Sequence, residues 1–346
     1  MIWKKKQFWG ILIAIALLAF CVKDVTFSEI KELYYRVDLF YLLIALICSF
    51  LFVILKAIRW KIMINPQKNI PIVRSITLYS AGQVLNILMP ALTGQVGRMF
   101  LFAKKENLRK TFVFSTIVLE ILFDAITLVF FLFLTSFAFA FPEKYRSVSW
   151  IIAIITLVLL ALLYLFLRYH KSLEDFGRKR CRDRWPGFYI GAKKFIRSFI
   201  KGIELLRSSR HLAGSLIISL LFWTAHMLVV FFLFRAFGFG LPLGAAAAVM
   251  IINTIALLVP ITPGNAGTFE IAVSTSLIAF SVGRSDAVMF ALALHFIDLI
   301  PMYILGVAFL KMEKVSIKEI KSQHEEETIL EHVDEEGTLI DKEEIV

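Results

Sequence analysis

In a chain of 346 residues, 59% are hydrophobic, 33 are Phe and 19% are charged, and the mean hydropathy is +0.77, more apolar surface than one soluble core can bury. A water-soluble enzyme or nucleic-acid-binding domain is excluded, because the net charge of +11 sits in short loops beside apolar stretches, where Lys and Arg report membrane topology. The chain reads as an all-α polytopic membrane protein. Its three cysteines, Cys21, Cys48 and Cys181, form no metal or redox motif and read as inert.

Taken in order, residues 8–22 follow Lys4, Lys5 and Lys6 and lack a small-residue cleavage site, so they read as an uncleaved first transmembrane helix. Residues 23–38 form a charge-balanced loop outside the membrane. Residues 39–58 return to a basic, cytoplasmic end with Lys56, Arg59 and Lys61. Residues 73–103 are apolar, but Lys104, Lys105, Arg109 and Lys110 follow them, and a full crossing would put those bases outside. A re-entrant hairpin keeps them cytoplasmic. Residues 112–141 then cross outward and 150–167 cross back. The basic loop 168–210 follows, with a pattern over 188–206 that suits an amphipathic helix on an anionic leaflet. Residues 212–237 cross outward, 243–282 form a second hairpin open to the outside, and 287–310 cross inward to Lys311 and an acidic tail.

Both hairpins carry the same break. Pro90, Gly94 and Gly97 match Pro260, Gly264 and Gly267 as P-x-x-x-G-x-x-G. Irregular backbone at membrane depth must be buried in protein or line a cavity, since each unpaired amide group there costs several kcal/mol. With the opposed charge pattern, the matching breaks predict inverted-topology repeats whose two re-entrant helical hairpins meet near the bilayer midplane. The chain thus divides into an N-terminal helix and outer loop (1–37), a first repeat (38–147), a linking helix and basic amphipathic segment (148–210), a second repeat (211–311) and a cytoplasmic tail (312–346).

The hairpin tips are the expected substrate site. Each returning arm begins as a helix whose free N–H groups favour an anion, and glycine there admits a close approach of backbone to ligand. Arg98 follows Gly97 and can hold a phosphate in bidentate fashion, or pair with Glu120 or Asp124. Asn86 and Asn253, on the incoming arms, can hydrogen-bond the broken backbone or a head group. Glu270 stands three residues after Gly267, where a carboxylate caps a helix. Glu120 and Asp124 share one helix face, as do His295 and Asp298; they either pair structurally or carry a coupling ion or proton. His226 reads as a packed histidine.

The segment PITPGNAGTFE, with the earlier AGQVLNILMPALTGQVGRMF, resembles the lysylphosphatidylglycerol synthase transmembrane family, a flippase-like domain, over roughly residues 5–315. Pro260, Pro263, Gly264, Gly267 and Glu270 match its pattern, as do Asn86, Pro90, Gly94 and Arg98; Gln95 departs from it, since an acid often stands there. The resemblance implies movement of phospholipids or polyprenyl-linked lipids between leaflets. It does not extend to an aminoacyl-transferase domain, so synthase activity is not expected. The expectation is therefore a non-enzymatic lipid flippase or transporter of the cytoplasmic membrane, multi-pass with both termini cytoplasmic. Its partners are membrane lipids with an anionic head group; neither nucleic acid, metal nor cofactor is expected, and homo-oligomerisation stays open. The alternative is a membrane-embedded transferase or hydrolase acting on a lipid phosphate through Glu120, Asp124 or His295.

Overall fold

The computed structural model describes residues 2–23, 25–88, 93–138, 209–257 and 262–312, with isolated positions between 154 and 169. The basic amphipathic segment, Cys181 and the acidic tail lie outside the described residues. The described chain forms α1 (Ile2–Val22), α2 (Phe27–Arg36), α3 (Leu39–Ile64), α4 (Ile72–Leu88), α5 (Thr93–Glu106), α6 (Lys110–Ala138), α7 (Ser209–Ala236), α8 (Leu243–Ala256), α9 (Thr268–Ala279) and α10 (Arg284–Met312), with a 3₁₀ turn at Pro263–Asn265. Leu39–Ile64, Phe112–Thr135, His211–Ala236 and Arg284–Phe309 are each long and apolar enough to cross a membrane, as the sequence predicts. Large apolar side chains such as Leu43, Ile47, Leu51, Ile121, Phe133, Ile217 and Phe296 stand exposed on them, the surface a lipid-embedded bundle presents. The protein is an all-α polytopic membrane protein.

One difference concerns the loop 23–38, most of which is the helix α2. Its start is a reciprocal cap: the Thr26 N–H donates to Glu29 Oε2 at 2.7 Å, and the Glu29 N–H reaches Thr26 Oγ1 at 3.4 Å. The T-x-x-E spacing carries that signal.

The helices α3 and α7 form the most extensive seam, and they run antiparallel. At one end the Asp38 N–H donates to the Ala236 carbonyl at 2.9 Å; near the other, Arg59 Nη1 donates to Ser219 Oγ at 2.9 Å. Around this seam the neighbours come in matched sets. Helix α4 packs on α10 and α8 on α6; α3 touches α10 and α7 touches α6; α5 packs on α4 and α6 as α9 packs on α8 and α10. Exchanging α3–α6 for α7–α10 leaves this set unchanged.

Close approach depends on small residues. The consecutive Ala245, Ala246, Ala247 and Ala248 are buried on all sides of the first turns of α8, and a Cβ on Gly306 of α10 would sit 2.6 Å from the Ser80 carbonyl of α4. Pro301 within α10 lacks the N–H that would bond the Ile297 carbonyl one turn earlier. Ser49 Oγ of α3 donates to that carbonyl at 2.9 Å, so the orphaned acceptor is satisfied across the seam.

Candidate functional site

The described residues on the flanks of the two breaks, the end of α4 and the turn at Pro263–Asn265, are brought together. Thr262 Oγ1 donates to the Ala266 carbonyl at 2.8 Å and Thr268 Oγ1 to the Asn265 carbonyl at 2.8 Å, so side chains replace the helical ladder where it breaks. Gly264 and Asn265 adopt left-handed φ of 60° and 58°. The turn packs on the end of α4, where a Cβ on Gly264 would meet Ile87 at 3.1 Å. Pro90 and Pro260 lie outside the described residues, and Pro263 opens the 3₁₀ turn.

The sequence reading has glycine make room for a ligand, and at two positions the room is taken by protein. A Cβ on Gly94 would lie 2.6 Å from the Asn86 Cα, because α5 folds directly back on α4. A Cβ on Gly267 would lie 2.4 Å from the Leu17 Cβ, because α1 is laid across the start of α9; its φ of 87° also suits glycine. Gly97 is buried within α5. Three amide oxygens at or near the breaks, on Gln95, Asn253 and Asn265, are buried without a hydrogen-bond partner among the described residues.

Behind the tips stand four ion pairs between helices. Arg98 Nη2 of α5 meets both carboxylate oxygens of Glu120 on α6, at 2.6 and 2.7 Å. The guanidinium lies over Tyr79 at 4.7 Å and Phe102 at 5.2 Å, and Gly82 makes way for its stem. Arg98 is only 2% exposed, so its charge is engaged by protein and is not free at the tip. Asp124, one turn from Glu120, instead pairs with Arg59 of α3 at 2.5 Å. A base at the end of an apolar stretch reads as a topology marker, yet this Arg59 is fully buried.

In the second half Glu270 accepts the Gly267 N–H at 2.6 Å, the capping role its spacing predicts, and its other oxygen meets His295 Nδ1 at 2.7 Å. Phe269 stacks on that imidazole at 4.3 Å. The expected His295–Asp298 pair does not form. Asp298 pairs with His226 Nε2 of α7 at 3.1 Å, while His295 is taken by Glu270 of α9. His226 is thus both packed, on Phe52 at 4.7 Å, and within hydrogen-bond distance of a carboxylate.

Each half therefore ties its last helix to its returning hairpin arm and to its first helix. Removing one partner of the buried Arg98–Glu120 pair strands a charge in a low-dielectric interior. In the second half imidazoles face the carboxylates, and in the first guanidinium groups do.

Comparison with known proteins adds a family and a group of relatives. The model for the "Lysylphosphatidylglycerol synthase TM region" matches residues 7–306. The chain is similar to a UPF0104 membrane protein of Pyrococcus horikoshii, 23% identical over 332 residues, 90% of this chain and 99% of that protein. It is similar also to UPF0104 membrane proteins of Methanothermobacter thermautotrophicus, 24% identical over 283 residues, 75% of this chain and 81% of that one. Another, from Methanocaldococcus jannaschii, is 24% identical over 296 residues, 82% of this chain and 88% of that one. No solved structure matches the chain.

Proposed function

Because the chain belongs to the lysylphosphatidylglycerol synthase TM-region family, we propose that it is a lipid flippase or transporter, moving an anionic phospholipid or polyprenyl-linked lipid between leaflets of the cytoplasmic membrane. One observation carries the reading: the neighbour set is unchanged when α3–α6 is exchanged for α7–α10, while α3 and α7 run antiparallel. An inverted repeat has that signature, and two half-membrane hairpins meeting at their tips give a site that opens to either side in turn. The contact between Gly264 and Ile87 supports hairpins that meet, and the α4–α5 and α8–α9 pairs are then re-entrant, with both termini cytoplasmic.

Proton coupling falls to the second half. His226 and His295 face Asp298 and Glu270, and an imidazole can give up or take a proton where a guanidinium group cannot. Glu120 and Asp124 serve as counter-ions to Arg98 and Arg59.

The test is reconstitution of the purified chain in liposomes carrying fluorescent phospholipids or polyprenyl phosphates, with leaflet exchange followed by quenching. Protein-dependent exchange of anionic lipid, altered by an imposed proton gradient, is expected. A folded protein that exchanges none of them overturns the proposal; consumption of the lipid during the assay would turn it toward a transferase or hydrolase.

A further inference from the structure

One cation set within the apolar span of α3 has no acid of its own. Arg98 has Glu120 and Arg59 has Asp124, but Lys56 of α3 has no carboxylate within ion-pair distance among the described residues. The linking stretch 150–167, outside most of the described residues, contains no Asp or Glu to supply one. In the second half Glu270 and Asp298 are engaged by His295 and His226. Asp124 and Glu120 act on Lys56 only through space, each being taken by an arginine; a cation without its own counter-ion inside an apolar bundle is expensive, and it is retained where something anionic visits it.

Lys56 does not lie as a snorkelling lysine lies. It stands eight residues before Ile64, about 12 Å from the nearer end of α3 at 1.5 Å per residue. A side chain escaping to water would extend past Trp60 toward that end. Instead Nζ turns back onto Phe52, one turn deeper, at 4.7 Å, and onto Phe222 and Trp223 of α7 at 5.2 and 5.5 Å. Arg59 lies over the same Phe222 ring at 4.7 Å. Although fully buried, Arg59 leaves Nε and Nη2 without a hydrogen-bond partner, and the Trp223 Nε1–H is unpartnered as well. Buried donors in such number at one seam call for an acceptor.

We propose that Lys56, with the unpartnered donors of Arg59 and Trp223, binds the phosphate of an anionic lipid at the seam between α3 and α7. The ligand chemistry is a phosphate ester, for which Lys gives a point charge and Arg a donor fork. A lipid fits better than a free anion because Lys56 is half-buried among apolar helices, and Leu43, Ile47 and Leu51 expose a stripe for acyl chains along the same α3. Excess positive charge also disfavours a choline head group. The site rests on the lipid-transport reading only for its purpose, and it differs in place from the hairpin tips.

The test is binding, with no transport step. The full chain in a neutral detergent is titrated with phosphatidylglycerol, with phosphatidylcholine and with sodium phosphate, and bound ligand is counted by native mass spectrometry. Phosphatidylglycerol is expected to bind in preference, Lys56→Met to weaken it at least tenfold with phosphatidylcholine and the melting temperature little changed, and Lys56→Arg to keep it. Equal phosphatidylglycerol binding by wild type and Lys56→Met, or no preference over phosphatidylcholine in the wild type, overturns the site. Displacement of the lipid by sodium phosphate at equal concentration overturns the lipid assignment. Lys56-dependent binding in a protein that exchanges no lipid in liposomes leaves the site standing and overturns only the transport reading.

Discussion

The two halves of the bundle share a frame and differ in its chemistry. In α3–α6 the last helix is tied by Arg98–Glu120 and Arg59–Asp124; in α7–α10 by Glu270–His295 and Asp298–His226. The ties join corresponding helices, yet one set uses cations that never lose their proton and the other uses imidazoles. On the proposed function the first half is a fixed scaffold and the second carries the coupling proton.

Breaking the strongest tie of the fixed half is expected to have the largest effect. Glu120→Ala strands the buried Arg98 and should cost about 3–5 kcal/mol, read as loss of monodisperse folded protein on gel filtration. Replacing both residues by apolar ones, Arg98→Met with Glu120→Leu, should recover much of it. A double variant as unstable as the single one would show that the tie is not what the guanidinium requires.

In the second half His295→Gln keeps a donor for Glu270 but cannot titrate. A stability loss of about 1 kcal/mol is expected, with a marked flattening of the pH dependence of lipid exchange. An unaltered pH profile would remove the distinction between the halves. Ser49→Ala, which orphans the Ile297 carbonyl above Pro301, should cost about 1 kcal/mol in melting experiments while leaving the shape of that profile intact.

The smallest effect lies outside the membrane. The Thr26 backbone N–H, then its hydroxyl and the Ser285 hydroxyl, hold the Glu29 carboxyl below the usual carboxylate range. A depressed folded value stabilises above the unfolded value of about 4.3 and is lost as pH falls through the folded one. Glu29→Gln should thus lower the melting temperature slightly at neutral pH, and the gap from wild type should close on acidification.

The spans and breaks were legible because they are local. Apolar length marks α3, α6, α7 and α10, and Pro263 with Gly264 announces an interrupted helix. The partners of the buried charges were not. His295 and Asp298 look paired at i, i+3, but each answers to a different neighbouring helix. Arg59 looked like a marker of the cytoplasmic end, because charge bias says nothing of which way a side chain turns. Gly267 looked like a ligand contact, and only the packing of α1 reveals Leu17 in that space. The T-x-x-E cap of α2 is legible in the sequence, though the balanced charges around it give the segment the look of a loop.

Inversion of the second half relative to the first is tested most directly by side-specific labelling. In a variant lacking the native cysteines, Asn107→Cys is placed in the α5–α6 loop and Gly283→Cys in the corresponding α9–α10 loop, where a Cβ meets nothing within 4 Å. An impermeant thiol reagent should reach Asn107→Cys only from the cytoplasm and Gly283→Cys only from outside. Labelling of both from the same side would contradict the inverted repeat, and with it a site that faces each leaflet in turn.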